Sequence, residues 1–222
     1  MTGKNEFAVE TRATNVTWHR PAVGRQEKET LLSQKGILLW FTGLSASGKS
    51  TIAHALEHEL YRSGYLTAVL DGDNIRHGLN RDLGFSHRER EENIRRIGEV
   101  AKLFTENGII TMTAFISPFR SDRDKVRASL GEENFVEIYV KCPLEELRRR
   151  DPKGLYKKAL AGEVKEFTGI SSPYEEPLLP EIILDSSLLS PDECVQELLR
   201  LLRERRVLNR SSSADGTGNA AA

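Results

Sequence analysis

The sequence predicts a three-layer α/β fold, in which a parallel central sheet is flanked by helices. Short apolar runs that are typical of buried strands alternate with segments whose apolar residues recur at helical spacing. The first run, 37–41, leads into the glycine-containing stretch 43–51, and a helical pattern begins directly after it. The 222 residues are 38% hydrophobic and 29% charged, a composition that suits one globular domain with a sizeable core.

The strands and helices follow one another in the order that a parallel sheet requires. Apolar residues predict a helix that begins near Ile52, and Ser86 with Glu89 forms a capping box that opens a long amphipathic helix ending at Gly108. Further helices are predicted over 120–130 and 191–202. The predicted strands are the apolar runs 37–41, 66–70, 109–115, 135–142 and 182–184.

The two ends of the chain differ from the domain, which we place at 36–205. Residues 1–35 are polar apart from one helical fragment at 27–32, so we expect an N-terminal arm packed on the domain. In this arm, Trp18 and His19 are expected to anchor on the core, with an interface pair as the alternative. Residues 206–222 end in a run rich in serine, glycine and alanine, which predicts a disordered tail.

Composition excludes several classes of protein. The net charge of −1 gives no overall basic field for a nucleic-acid partner, and no apolar stretch approaches the roughly 18 residues of a membrane span. The first 30 residues carry charges where a signal peptide needs an apolar segment, so we expect a soluble cytoplasmic protein. Cys142 and Cys194 lie far apart without metal-ligand spacing, and we predict that both are core residues.

The stretch 43–51 has the sequence of a phosphate-binding P-loop, Gly-Leu-Ser-Ala-Ser-Gly-Lys-Ser-Thr, between a strand and a helix. Its glycines let backbone N–H groups and the helix N-terminus surround phosphates. A chance match, or a nucleotide site without chemistry, is the alternative, but the strand, loop and helix agree. The predicted ATP-binding residues are Gly43, Leu44, Ser45, Ala46, Ser47, Gly48, Lys49, Ser50 and Thr51, with Lys49 at the β and γ phosphates and Ser50 as a Mg²⁺ ligand.

Two carboxylates, Asp71 and Asp73, follow the second predicted strand, at the sheet edge where ligands bind in open α/β folds. One carboxylate near the P-loop can hold Mg²⁺ or accept a proton from an acceptor hydroxyl. We predict Asp73 in both roles, with Asp71 in support. The alternative is that both residues cap the helix that begins near Asn74.

A polar and aromatic set follows these carboxylates. Arg76 and Arg90 can grip phosphate or sulfate oxygens, Phe85 offers a stacking face for a base, and Asn93 adds an amide. Any single arginine here could lie on a solvated helix face, but the combination favours a planar, anionic substrate.

The segment 148–170 is rich in cations and contains Pro152, Gly154, Gly162 and Gly169. Such a composition predicts a mobile lid that closes over a triphosphate and excludes water from the reaction. A solvated loop is the alternative.

Six further blocks bring the sequence close to one family. They are 70–79, 82–86, 92–97, 115–120, 151–158 and 167–170. Together with the P-loop, and in this order, they resemble the adenylyl-sulfate kinases (APS kinases) over roughly residues 15–203. The resemblance implies the P-loop kinase fold and transfer of the γ-phosphate of ATP, with Mg²⁺, to the 3'-hydroxyl of adenosine 5'-phosphosulfate. It also implies a homodimer, and the chain has no room for the ATP sulfurylase that supplies the substrate.

The resemblance also assigns residues to the acceptor nucleotide. Phe85 and Phe167 match the pair that sandwiches the adenine, and Ser117 matches a serine for which a phosphoserine intermediate is commonly described. We favour direct in-line transfer, because no activating base is evident near Ser117 in the sequence. The full set of implied acceptor contacts is Asp73, Arg76, Phe85, Arg90, Asn93, Ile116, Ser117, Lys153, Lys158 and Phe167, with Lys165 also in the lid; the catalytic residues are Lys49, Asp73 and Ser117.

One residue departs from the family pattern, since Ala46 stands where many relatives have a second glycine. Alanine is acceptable there unless the position requires a positive φ.

Three other functions remain to be distinguished. A P-loop kinase for another small metabolite would release ADP with a different acceptor. A GTP-binding switch would carry an Asn/Thr-Lys-x-Asp motif, which the sequence lacks. A catalytically silent binding module would be unaffected by loss of the Asp73 carboxylate.

Overall fold

The computed structural model describes residues 15–17 and 19–210. Five parallel strands form one sheet in the order β2-β3-β1-β4-β5, so the first strand lies at its centre. The strands are β1 (Ile37–Thr42), β2 (Thr67–Asp71), β3 (Ile110–Ala114), β4 (Phe135–Lys141) and β5 (Ile182–Asp185). All five predicted strands are confirmed, with ends displaced by one residue or not at all.

Helices connect these strands, as the alternating pattern predicts. The capping box of the long helix is formed, because the Ser86 and Glu89 side chains each accept from the other's backbone. The helices are α1 (Arg25–Leu32), α2 (Lys49–Arg62), α3 (Gly72–Arg76), α4 (His87–Glu106), α5 (Arg120–Leu130), α6 (Leu144–Arg150), α7 (Leu155–Leu160) and α8 (Pro191–Glu204), and a 3-10 turn spans Glu132–Asn134.

The core has two layers because β1 is buried on both faces. Leu39 and Phe41 pack on one side with α2 and α8, whereas Leu38 and Trp40 pack on the other side with α4 and α5. Successive side chains of a strand point to opposite faces, so one central strand contributes to both layers. This arrangement fixes the carboxyl end of β1, from which the P-loop leaves the sheet.

Both ends of the domain differ from expectation. Val207 is buried and its carbonyl accepts from the Lys35 backbone, while Leu208 bridges Gln34, so residues 206–210 belong to the domain and the predicted tail boundary at 206 is wrong. His19 is exposed, which contradicts its expected anchoring, and Trp18 lies outside the described residues. Instead, α1 attaches the arm through Arg25, which donates to the Gly36 carbonyl at 2.7 Å.

Cys194 is buried in the core as predicted, whereas Cys142 is only half-buried and packs at the edge of a third cluster that includes Tyr156 and Phe167. Over residues 15–17 and 19–210, we find no helix with the length and apolar character that crossing a bilayer demands.

Candidate active site

The P-loop leaves the carboxyl end of β1 and wraps into the first turn of α2. Gly43 has a φ of +145°, and a Cβ there would lie 2.4 Å from the Val140 carbonyl oxygen, so only glycine fits between the loop and β4. Gly48 is the N-cap of α2, and its carbonyl accepts the first helical hydrogen bond from Ile52 at 2.9 Å. The free N–H groups of this turn therefore form the anion-binding end of the helix.

Ala46 adopts a φ of +63°, the left-handed conformation that disfavours residues with a Cβ. The expectation that alanine is acceptable here carried the condition that no positive φ is required, and that condition is not met. Ala46 therefore stores local strain in the loop.

Lys49 lies buried within the loop. Its Nζ donates to the Leu44 carbonyl at 2.7 Å and lies 3.4 Å from the Ser47 hydroxyl. Burial lowers the pKa of the Lys49 ammonium to about 7, against the opposing attraction of Asp71 and Asp73. The Lys49 ammonium thus contacts one carbonyl and one hydroxyl of its own loop, and an anionic ligand can replace them as its partner.

Asp71 contacts the P-loop, whereas the Asp73 side chain is exposed and pairs with the lid. The Ser50 hydroxyl donates to Asp71 Oδ2 at 2.5 Å, and Asp71 Oδ1 accepts from the Asp73 backbone at 3.0 Å as the N-cap of α3. Asp71 is buried, while the Asp73 side chain is 69% exposed and forms an ion pair with Lys153. The predicted metal pair of Ser50 and Asp73 is therefore not in contact, and Asp71 takes the place next to Ser50.

The chemistry of these groups fits a hard divalent cation. A serine hydroxyl and one buried carboxylate oxygen lie together at the phosphate loop, which is the kind of oxygen set that holds Mg²⁺ along with phosphates and water. Among the described residues no three His, Cys, Asp or Glu side chains gather into a metal site of their own. A cation at Ser50 and Asp71 would therefore need the nucleotide to complete its coordination.

The predicted lid lies against the P-loop. The Tyr156 hydroxyl donates to the Ser45 carbonyl at 3.0 Å, and Tyr156 packs edge-to-face on Phe167 with Leu147 nearby. The partly buried Leu44 and Ala46 extend this cluster into the P-loop itself. Lys153 reaches Asp73 across the front of the site, whereas Lys158 on α7 and Lys165 beyond it are exposed.

Arg76 and Phe85, two of the predicted acceptor contacts, lie against each other. The Arg76 guanidinium lies 4.2 Å above the Phe85 ring and donates to the carbonyls of Leu83 and Gly84 at 2.8 and 3.0 Å. Phe85 is 62% exposed, but Phe167 is only 8% exposed within the lid cluster. The two rings that the resemblance pairs around adenine therefore differ in access, and only Phe85 is open to a ligand in this structure.

Arg90 joins α4 to the lid. Its guanidinium donates to the Thr168 hydroxyl at 2.5 Å and to the Glu166 carbonyl, and its Nε donates to the Phe85 carbonyl at 2.6 Å. The Arg90 side chain therefore connects α4, the segment that precedes it and the lid, and it holds the lid against that segment.

Asn93 is buried on α4, and its carbonyl oxygen accepts from the Asn80 amide at 3.0 Å. Asn80 was not singled out from the sequence, since a lone asparagine in a turn carries no signal of a partner 13 residues away. In this pairing the Asn93 NH₂ group remains able to donate to a ligand.

Ser117 lies in a tight, buried turn after β3, with a φ of +40°. Its hydroxyl accepts from Trp40 Nε1 and donates to the Thr42 hydroxyl, each at 3.0 Å. Thr42 also donates to the Ile116 carbonyl at 2.7 Å. Neither partner of the Ser117 hydroxyl is a base, which favours direct transfer over a phosphoserine route.

A separate groove of about 620 Å³ lies at the opposite edge of the sheet, at the amino ends of β1 and β4. It is lined by α1, the 3-10 turn and the residues after α8, so it contains none of the predicted site residues.

The fold and this site define a class of protein. A parallel sheet with a P-loop after its central strand, facing carboxylates and covered by a basic lid, is a P-loop kinase. A sugar kinase from Janibacter sp. shares this fold at a TM-score of 0.55 and 19% identity, with 79% of this chain and 99% of that one covered.

A family model and similar relatives indicate a particular family within the P-loop kinases. The family model for adenylylsulphate kinase matches residues 35–185. An adenylyl-sulfate kinase of Clostridium kluyveri is 59% identical over 191 residues, covering 86% of this chain and 96% of the relative, and a probable adenylyl-sulfate kinase of Bacillus subtilis is 54% identical over 198 residues, covering 89% and 100%.

Among solved structures, the Mycobacterium tuberculosis APS kinase CysC in complex with AMPPNP and APS matches at a TM-score of 0.72 and 47% identity, covering 77% of this chain and 99% of that one. The chain belongs to the adenylyl-sulfate kinase family.

Proposed function

We propose that this protein is an adenylyl-sulfate kinase, which transfers the γ-phosphate of ATP to the 3'-hydroxyl of adenosine 5'-phosphosulfate and releases 3'-phosphoadenylyl sulfate and ADP. Membership of the family and the kinase structure that contains AMPPNP and APS support this function.

One continuous set of contacts carries the proposal. Ser50 in the P-loop donates to Asp71, Asp71 accepts from the backbone of Asp73, and Asp73 pairs with Lys153 of the lid. The phosphate loop, the acceptor-side carboxylate and the lid thus meet at one edge of the sheet, where a donor phosphate and an acceptor hydroxyl can lie side by side.

In the reaction that we infer, the acceptor oxygen forms a bond to the γ-phosphorus while the bond to the β-phosphate oxygen breaks. Lys49 offsets negative charge on the transferred group, and Asp73 orients the acceptor hydroxyl and takes its proton. Asp73 pairs with the exposed Lys153, so an acceptor hydroxyl that binds Asp73 competes with that ion pair.

Mg²⁺ is the expected metal, with Ser50 and Asp71 as the protein groups that would hold it. The metal would supply charge neutralisation for the transfer. The sequence-based assignment of Asp73 to the metal is replaced in this proposal by Asp71, because only Asp71 touches Ser50.

The acceptor is expected to contact the residues that lie around Asp73 and the lid. Arg76, Arg90 and Asn93 supply donors for its anionic groups, and Phe85 supplies a face for its adenine. Phe167 can serve as a second face after the lid cluster shifts, since its ring is buried among Leu147 and Tyr156.

The proposed reaction and the family resemblance lead to expectations about the source of the substrate, the location of the protein and its oligomeric state. An ATP sulfurylase reaction is the expected source of adenosine 5'-phosphosulfate, and we expect a cytoplasmic homodimer from the family resemblance. One APS kinase among the structural matches, from Thiobacillus denitrificans, is described as hexameric, and light scattering distinguishes a dimer from a hexamer.

The direct test is ADP release with ATP, Mg²⁺ and a panel of acceptors. We expect turnover with adenosine 5'-phosphosulfate, product that carries a 3'-phosphate by mass spectrometry, and loss of turnover when the metal is chelated. Turnover only with a nucleoside or a sugar acid would instead identify a different P-loop kinase, and a preference for GTP in competition binding would point to a switch protein.

A further inference from the structure

Two segments far apart in the sequence pack against each other behind the acceptor side. The first is the acceptor loop, residues 116–120, and the second is the lid root, residues 173–176, which follows the lid. The Glu175 backbone donates to the Pro118 carbonyl at 2.8 Å, and the Glu175 carboxylate accepts from the Arg120 backbone at 2.8 Å. The lid is therefore attached at its far end to the loop that contains Ser117.

Arg123, in the first turn of α5, forms hydrogen bonds with both of these segments. Its Nη1 donates to the Ser117 carbonyl at 2.7 Å, and its Nη2 donates to the Glu175 carbonyl at 2.9 Å. The third donor, Nε, meets Glu137 of β4 at 2.6 Å. One planar guanidinium thus holds the acceptor loop, the lid root and the sheet in a fixed relation.

The burial of this arginine is unusual for a charged side chain. Arg123 is 1% exposed, and Glu137 is its ion-pair partner in the interior. A buried ion pair is weak evidence for stability, because desolvation offsets much of the attraction. A role for the pair in fixing one geometry explains better why the interior contains it.

Arg123 contacts a backbone turn that has an unfavourable conformation. Ser117 has a φ of +40°, which a residue with a Cβ rarely adopts, and its carbonyl is where Arg123 binds. On the other side of the same turn, Thr42 bonds the Ile116 carbonyl and lies 3.0 Å from the Tyr174 hydroxyl of the lid root. The turn is thus held between Arg123 and Thr42, and both of these residues also bond the lid root.

We propose that Arg123 is a positioning residue that sets the acceptor loop and the lid root together, so that the acceptor nucleotide meets a preformed loop beneath a lid anchored to it. The inference rests on the proposed function, since it concerns how that acceptor binds. Arg123 acts through Ser117 and Glu175 and has no direct part in the transfer.

The test compares Arg123→Lys with Arg127→Lys, a matched change one turn later on α5. Lysine at 123 keeps a charge for Glu137 but cannot bridge two carbonyls with a planar fork. Arg127 also pairs with carboxylates, those of Glu132, Glu181 and, like Arg123, Glu137, yet it bonds neither the acceptor loop nor the lid root. Both variants lose an arginine fork, but only one loses the proposed clamp.

We expect Arg123→Lys to raise the KM for adenosine 5'-phosphosulfate about tenfold, with the KM for ATP within about twofold of the parent. Arg127→Lys is expected to lower the Tm and to leave both KM values unchanged. KM does not depend on the concentration of folded enzyme, and active-site titration gives that concentration so that kcat can also be compared between the variants. Equal KM values for the acceptor in Arg123→Lys and Arg127→Lys would overturn the proposal.

A second variant covers the case in which Arg123→Lys does not fold. Tyr174→Phe removes the hydroxyl next to Thr42 but keeps the ring that stacks on Tyr139. We expect about a threefold rise in the KM for the acceptor and no change for ATP; an unchanged acceptor KM in this folded variant would also contradict the proposal. Absence of turnover in the parent would instead reject the proposed function, which keeps the two failures apart.

Discussion

The P-loop and the acceptor side of the site lie at the same edge of the sheet but are held there by different interactions. The P-loop grows directly out of the buried strand β1, and Gly43 sits against the backbone of β4. The acceptor side is assembled from separate segments through side chains, such as Arg90 with Thr168 and the exposed Lys153 with Asp73. The core therefore fixes the donor half, whereas the acceptor half depends on contacts that a ligand can replace.

The largest expected effect tests the donor half. Lys49→Met removes the only P-loop side-chain charge, and we expect kcat to fall about 10⁴-fold, within the range for a single cation at a transferring phosphoryl group. The change is measured by ADP release at saturating substrates. Lys35→Met, at the opposite edge of the sheet, is the control and should keep parental activity.

Substitutions of the two carboxylates, Asp71 and Asp73, distinguish the donor half of the site from the acceptor half. Asp73→Asn should lower kcat about 10³-fold with ATP affinity mostly kept, because the acceptor loses its base while the P-loop is untouched. Asp71→Asn should instead raise the Mg²⁺ concentration needed for half-maximal activity, because the carboxylate beside Ser50 is neutralised.

Kinetics as a function of Mg²⁺, together with ATP binding by calorimetry, distinguish these outcomes. A reversal, with Asp73→Asn affecting the metal and Asp71→Asn affecting only kcat, would restore the sequence-based assignment of Asp73 as the metal ligand.

Arg90→Ala tests whether the acceptor half depends on a single half-buried side chain. We expect the KM for adenosine 5'-phosphosulfate to rise roughly 10- to 100-fold, the value of charge-assisted hydrogen bonds, because both the ligand donor and the bond to Thr168 are lost. Arg95→Ala is the control on the same helix, since Arg95 is exposed and pairs only with Glu92 across one turn. Similar KM values for the two variants would contradict a role of Arg90 in acceptor binding.

The smallest expected effect concerns the strain at Ala46. Ala46→Gly should stabilise the protein by about 0.5 to 1 kcal/mol, because relief of the positive φ outweighs the added freedom of the unfolded chain. Ala128→Gly, at an exposed position inside α5, should destabilise it by about 1 kcal/mol. Urea unfolding of both variants measures the difference, and a loss of stability at position 46 would show that the loop stores no strain there.

Much of the fold was predictable because each element carries its own signal. The apolar runs predicted all five strands, and the Ser86–Glu89 capping box predicted where α4 begins. The boundary of the tail was not predictable, because Val207 packs into the core and its carbonyl accepts from the backbone of Lys35, which is distant in the sequence. Local composition cannot report such a partner.

The sequence by itself determined the donor half of the site, since the P-loop is continuous and its glycines and lysine need only the strand before it and the helix after it. Only the tertiary structure decided that Asp71, and not Asp73, lies beside Ser50, and that Arg123 joins Ser117 to Glu175. Such contacts span from 6 to 52 residues around Arg123. They depend on how strands and helices pack, because hydrogen bonds require directions and distances that spacing along the chain does not specify.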